Sequence, residues 1–265
     1  MSSAGLGRSA LRVSLLDADP DLARWLGPDE VAAARAGAVV PAMLVPRGEW
    51  APPGGGGPSR ARHLGFLLLD GLVGRDERLA GWSALSLVGP GELVRPWEQQ
   101  PDELLLPRTV TWRVFEPVTM AVLGPELEVA IARWPRLGLA LADRALRQTS
   151  RRATQQAICQ LAPLDARLLV LFWHLAERWG RVGSGGVLLP LCLRHETLGH
   201  LVGAKRPSVT LALQRLAARH VVEPCADATW LLRGSPPDEL QDVHVASQQI
   251  PVPTQQVRVP AKPKI

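Results

Sequence analysis

The residues best suited to chemistry lie late in the chain. Arg194 and His195 open the run Arg194-His-Glu-Thr-Leu-Gly-His-Leu-Val, and a turn Gly203-Ala-Lys205-Arg206 follows. Pro207-Ser208-Val-Thr210-Leu211-Ala-Leu-Gln214-Arg215-Leu-Ala-Ala-Arg completes the group. Lys205 and Arg206 stand where a helix would ordinarily carry a capping Ser or Asp, next to Pro207, a residue that suits a first helical position. Two cations at the positive end of a helix are mildly unfavourable. A bound phosphate would remove that conflict and satisfy the orphan N–H groups. Val209, Ala212, Leu213 and Leu216 recur at i, i+3, i+4 and i+7 and predict one buried face. The opposite face carries Pro207, Leu211, Gln214 and Ala218, flanked by Ser208 and Arg215. It is short-chained, almost uncharged and free of acids, so it can approach a base-pair floor closely.

Other chemistry lacks its residues. Cys159, Cys192 and Cys225 are odd in number, 33 residues apart twice and form no Cys-x-x-Cys pair, which argues against a disulfide framework or a structural zinc site. An iron–sulfur cluster needs about four Cys ligands. Gly54 to Gly57 lacks the Lys and following helix of a phosphate loop. There is no Ser/His/Asp constellation and no His-x-x-x-His metal pair, so neither an enzyme nor a metal site is expected. Haem ligation by His63 or another dispersed His stays open.

These residues need elements to hold them. The chain has 265 residues, 46% hydrophobic and 21% charged, which suits about two globular domains and excludes fibrous or fully disordered classes. No apolar stretch nears the roughly 20 residues of a membrane span, since Leu64-Gly-Phe-Leu-Leu-Leu is cut by Asp70. Asp17, Asp19 and Asp21 arrive before any signal-like apolar core, so a cytoplasmic location is expected. The absence of Tyr beside many Ala, Leu, Arg, Gly and Pro fits a GC-rich genome. Net charge is +5. Most of the excess lies between Arg181 and Arg233, where seven basic residues face three acidic ones.

Two short helices joined by a Gly-containing turn make a helix-turn-helix. Val221-Val-Glu-Pro and Thr229-Trp-Leu-Leu-Arg supply a hairpin wing, with Arg233 placed to touch a phosphate backbone. Leu164, Leu168, Leu171 and Leu175 mark an amphipathic helix ending near Gly180, and Val187-Leu-Leu-Pro-Leu a short strand. Upstream, Leu137 to Leu161 is one long helix with Leu137, Leu141, Arg144/Ala145, Gln148 and Arg152 on a stripe. It is too long for a small barrel to cover, and a partner helix across a two-fold axis is the natural cover; packing on its own sheet is the alternative. Glu126 to Trp134 is a short helix. From His63 to Leu123, apolar runs are divided at Asp70-Gly71, Gly74-Arg75-Asp76 and Gly89-Pro90-Gly91, which predicts short antiparallel strands with hairpin turns. A strand is also expected in Ala38-Val-Val-Pro-Ala-Met-Leu-Val, a flexible loop at Ala51 to Pro58, and a disordered Pro/Gln-rich tail from Pro236.

The run from Leu189-Pro-Leu through Arg194 to Leu216 resembles the winged helix of the Crp/Fnr transcription regulators, and the order of parts agrees. The resemblance implies an α+β fold: an N-terminal antiparallel β-roll of the cyclic-nucleotide-binding kind (1–134), a long dimerisation helix (135–162), a C-terminal winged helix-turn-helix (163–234) and a tail (235–265). It implies a homodimer on a palindromic operator in double-stranded DNA, with RNA polymerase as an optional further partner. The expected DNA-binding residues are Arg194, His195, Lys205, Arg206, Ser208, Thr210, Leu211, Gln214 and Arg215. Where many members carry Arg-Glu-Thr-Val-x-Arg, this chain has Arg206-Pro-Ser-Val-Thr-Leu. Arg206 is left for a guanine, Leu211 for a thymine methyl and Gln214 for an adenine edge. The family's nucleotide pocket uses Gly-Glu and, a few residues on, Arg-Ser or Arg-Thr. Here Gly91-Glu92 stands alone, Arg95 comes too early, and Glu98, Asp102 and Glu103 are poor company for a phosphate. Cyclic nucleotide is therefore not the expected cofactor, and Gly91, Glu92 and Arg95 mark the place of an unknown effector. Without such a role Glu92 is a solvated turn carboxylate and Trp97 packs in the roll. The competing reading is a small-molecule or redox sensor whose winged domain docks a protein, with Cys192 or Cys225 as the switch.

Overall fold

Alternating apolar residues early in the chain and helical spacing later produce two sheets joined by a long helix. The computed structural model describes residues 11–53, 63–96 and 108–237. The expected loop over 54–58, the acids Glu98, Asp102 and Glu103, Trp97, and the tail from 238 lie outside the described residues. The first sheet contains β1 (Leu11–Ser14), β2 (Val39–Val45), β3 (Gly48–Trp50), β4 (Gly65–Leu79), β5 (Trp82–Val88), β6 (Leu93–Val94) and β7 (Arg108–Leu123). Its order is β1-β2-β7-β4-β5, with β3 on β7 and β6 on β4. All these pairings are antiparallel. Trp50, Phe66, Leu68, Val73, Trp112, Val114 and Met120 fill its interior.

The turns expected at Asp70-Gly71 and Gly74-Arg75-Asp76 are not turns. β4 runs through both, with register shifts against β7 between Leu68 and Val73. Gly71 sits there at φ +88, where an added Cβ would lie 2.2 Å from the Pro117 carbonyl oxygen. These irregularities are bulges that bend one long strand around the roll, and Pro117, which cannot donate to a ladder, falls opposite them in β7. The hairpin turn is at Ala80-Gly81, both at positive φ.

The chain between β1 and β2 forms α1 (Leu15–Ala18), a 3-10 turn (Pro20–Trp25) and α2 (Pro28–Gly37). After β7 come α3 (Pro125–Arg133) and α4 (Pro135–Gln160), whose 26 residues span about 39 Å at 1.5 Å each. The stripe for which the sequence suggested a partner helix packs on its own roll instead. Leu137, Leu141 and Gln148 are buried there, because the helices before β2 and the strands β4 and β6 already supply a matching apolar floor. The outer face of α4 carries Leu139, Ala142, Leu146, Thr149, Ala153, Gln156 and Gln160, all exposed, with Thr149, Gln156 and Gln160 at the edge of clefts shared with the roll.

The second unit is built from α5 (Leu164–Trp179), β8 (Arg181–Gly183), β9 (Gly186–Leu189), α6 (His195–Val202), α7 (Arg206–Ala218), β10 (Val222–Pro224) and β11 (Trp230–Leu232). Its four strands run in the order β10-β11-β9-β8. From Val170 to Leu175 every residue of α5 is buried, so this helix is the centre of the unit. Leu72, Leu85 and Leu87 of the roll belong to the same apolar cluster as α5, α6 and α7, so the two units share a core. No described helix is long and apolar enough to cross a membrane.

Candidate nucleic-acid interface

α7 obeys its sequence pattern. Val209, Ala212, Leu213 and Leu216 are buried, while Pro207, Ser208, Leu211, Gln214, Arg215 and Ala218 are exposed. Leu211 is 57% exposed, too much for a packing residue on an otherwise polar surface. The helix starts at Arg206, with Lys205 in the cap position making no side-chain cap bond and no acid in the first turn. Its first N–H groups are left to an outside acceptor. Lys205 and Arg206 are exposed beside them, Arg194 is exposed at the start of α6, and none of the three has an ion-pair partner among the described residues.

The turn between α6 and α7 is tight for two reasons. Gly203 closes α6 in the left-handed region, at φ +66. Gly199 lets the chain fold back on the helix: Ala204 N donates to Gly199 O at 2.8 Å, and a Cβ on Gly199 would stand 2.5 Å from the Ala204 carbonyl oxygen. A second fastening joins the two helix starts. The Thr210 hydroxyl donates to Arg206 O at 3.1 Å, so its oxygen accepts from His195 Nδ1 at 2.9 Å. His195 Nδ1 and the Thr210 hydroxyl, both on half-buried residues, are thereby brought together and tie the start of α6 to α7. Arg215 is committed as well. It donates to both carboxylate oxygens of Asp165 on α5, at 2.8 and 2.5 Å. Arg233, expected to touch a phosphate backbone, is paired with Glu223 at 3.0 Å, and Glu223 also holds His220. The exposed groups that remain for a ligand are Arg194, Lys205, Arg206, Ser208, Leu211 and Gln214.

The other predicted site divides. Gly91, at φ +79, gives its carbonyl to Arg144 Nη1 at 2.9 Å, and Arg144 pairs with Asp19 at 2.6 Å. Glu92 is not a solvated turn carboxylate. It is 4% exposed and paired with Arg178 of α5 and Arg151 of α4, because the loop after β5 turns inward under α5. Arg95 faces elsewhere, lining a cavity of about 150 Å³ with Arg75, Trp112, Thr149 and Arg152. Gly91, Glu92 and Arg95 do not converge on one pocket. Cys159, Cys192 and Cys225 are free thiols.

No protein-family profile and no curated protein matches the sequence itself. Solved structures do match. The chain superposes on a variant of CooA from Carboxydothermus hydrogenoformans with a TM-score of 0.58, over 78% of this chain and 88% of that one, at 16% identity. With FixK2 from Bradyrhizobium japonicum the TM-score is 0.56, over 77% and 96%, at 13% identity. With a CRP-family transcriptional regulator from Thermus thermophilus it is 0.51, over 72% and 91%, at 19% identity. The fold is that of the Crp/Fnr regulators. Within this Crp/Fnr fold the sequence located the helix-turn-helix, the wing and the long helix. It missed Arg144, Arg151 and Arg178, the guanidinium groups that enclose the loop Gly89 to Glu92. The one available signal was their number on α4 and α5, since a helix that carries arginines on a buried side needs acids or carbonyls opposite.

Proposed function

We propose that the protein is a sequence-specific, DNA-binding transcription regulator that acts as a homodimer on a palindromic site, in the manner of the fold it shares. The observation that carries this reading is the exposed, acid-free face of α7, with uncapped N–H groups and two unpaired cations at its start. That surface fits a phosphate at the helix end and base edges along the exposed face from Arg206 to Gln214. Arg206, Leu211 and Gln214 are the base readers, Lys205, Arg194 and Ser208 the backbone contacts. His195 and Thr210 act on the DNA only by holding α7 in place.

The outer face of α4 supports the dimer. Leu139, Ala142, Leu146, Thr149, Ala153, Gln156 and Gln160 follow alternate steps of three and four, the pattern of a two-helix seam, with small residues that let a second backbone approach closely. Two copies joined there would carry their recognition helices into successive major grooves, about 34 Å apart. The roll supplies an input site of unknown occupant, or only shapes the dimer. The test is binding of a labelled duplex as salt is raised. Affinity that falls steeply, by counterion release, supports the reading; a complex indifferent to salt opposes it.

A further inference from the structure

Glu92 is the only carboxylate among the described residues that is fully enclosed, at 4% exposure. It lies in the loop between β5 and β6, and its partners come from that loop and from the two helices α4 and α5. Oε2 accepts from Gly89 N at 2.9 Å and from Arg178 Nη2, and Oε1 accepts from Arg151 Nη1 at 3.4 Å. Arg178 is 86 residues further along the chain, in the last turn of α5. Its guanidinium also reaches Leu87 O at 3.5 Å and lies 3.8 Å over the Trp179 ring. Trp179 in turn rests on Gly89, where a Cβ would stand 2.7 Å from the indole. Two glutamines of α4 complete the joint. Gln148 bonds both N and O of Leu93, and Gln155 spans from Leu85 O in the roll to Leu201 O in α6.

We propose that Glu92 and Arg178 are a positioning pair that sets the angle of the winged unit on the roll. The apolar contacts across this junction are non-directional and would tolerate sliding. A buried carboxylate with a guanidinium laid against it would not, because any shift strands an uncompensated charge away from water. The covalent link does not by itself set the angle to the roll: between α4, ending at Gln160, and α5, starting at Leu164, Leu161 and Pro163 are extended, and Arg167 of α5 fastens Leu161 O and Val202 O to the winged unit, not to the roll. α7 packs on α5 and moves with it. The pair therefore decides where the recognition helix points, a consequence that rests on the DNA-binding reading, although the positioning itself does not.

The test measures the angle without DNA. Spin labels go on cysteines introduced at exposed Trp82 in the roll and Val182 in the winged unit, with Cys159, Cys192 and Cys225 replaced by Ser. Labelled chains are diluted in excess unlabelled protein, so that only distances within one chain are read. The parent should give one narrow distance, and Glu92→Gln and Arg178→Met should each broaden or shift it by about 5 Å or more while secondary structure is retained. Arg178→Lys, which keeps the charge and loses the planar fork, should fall between. An unchanged distance in a folded Glu92→Gln chain overturns the proposal. If Glu92→Gln does not fold, the milder Arg178→Lys decides it by the same criterion. If the pair only added stability, these variants would lower the melting temperature and leave the distance alone.

Discussion

Arg215 on α7 and Asp165 on α5 form a two-pronged ion pair, with Nε and Nη2 2.8 and 2.5 Å from the two carboxylate oxygens. An arginine placed by its sequence position to meet phosphate is thus already neutralised within the protein. Asp165→Asn should release it: duplex affinity should rise, and the salt slope should steepen by about 0.9 for the one added phosphate contact. Arg215→Ala should cost less affinity than Lys205→Ala and leave the slope unchanged. The Arg215 guanidinium holds the Asp165 carboxyl below its usual range, chiefly through the hydrogen bond. The pair's contribution is therefore fully present above the ordinary carboxylate pKa and is lost as pH falls through the lowered one.

Arg206 and Lys205 should separate reading from holding. Arg206→Ala is expected to relax preference at one base pair and to cost about 1–3 kcal/mol against the preferred site, whereas Lys205→Ala should weaken all sequences alike and lower the salt slope by about 1. Binding titrations on the preferred and single-substituted duplexes distinguish them.

Gly199 and Gly203 both shape the turn of the helix pair, but they resist substitution differently. Gly203→Ala meets no atom within 4 Å and pays only for its positive φ, about 1 kcal/mol. Gly199→Ala forces the Ala204 carbonyl aside and should cost about 1–3 kcal/mol, with DNA affinity falling for every sequence because α7 is tilted. Thermal unfolding paired with duplex titration reads both effects.

His174 is a source of acid sensitivity. Burial, with Arg178 and Arg151 nearby, lowers its pKa from 6.5 to about 4; Glu177, 3.7 Å from Nδ1, is 75% exposed and screened by water. Above pH 6.5 the ring is neutral folded or unfolded. Between about 6.5 and 4 only the unfolded chain takes the proton, so stability falls with pH by up to about 3 kcal/mol. The melting temperature should drop across that window, and His174→Gln should flatten the profile.

How much of this was legible depended on how far apart the partners lie. The buried face of α7 repeats within four residues, so Val209, Ala212, Leu213 and Leu216 could be read directly. Asp70-Gly71 carries hairpin chemistry, yet the same positive-φ glycine serves a bulge, and only the pairing of β4 with β7 separates the two. α4 carries two stripes, and period alone cannot say which one the roll takes. Glu92 with Arg178, Arg215 with Asp165 and His195 with Thr210 are meetings of distant segments. Each diverts a residue that local sequence offers to a ligand.

The exposed seam of α4 makes a separate prediction. Leu146 is 71% exposed, so Leu146→Glu should leave the single chain's stability nearly unchanged while driving a dimer to monomers. Sedimentation equilibrium reads the outcome, and a variant that stays dimeric would move the interface elsewhere.

The central claim is tested most directly by selecting bound fragments from a random duplex library with the intact protein at about 150 mM salt, near physiological ionic strength. The expected result is an inverted repeat whose half-sites are centred about 34 Å apart, with one base pair in each half losing definition when the selection is repeated with Arg206→Ala. Enrichment of no sequence, or of sites without two-fold symmetry, would contradict it.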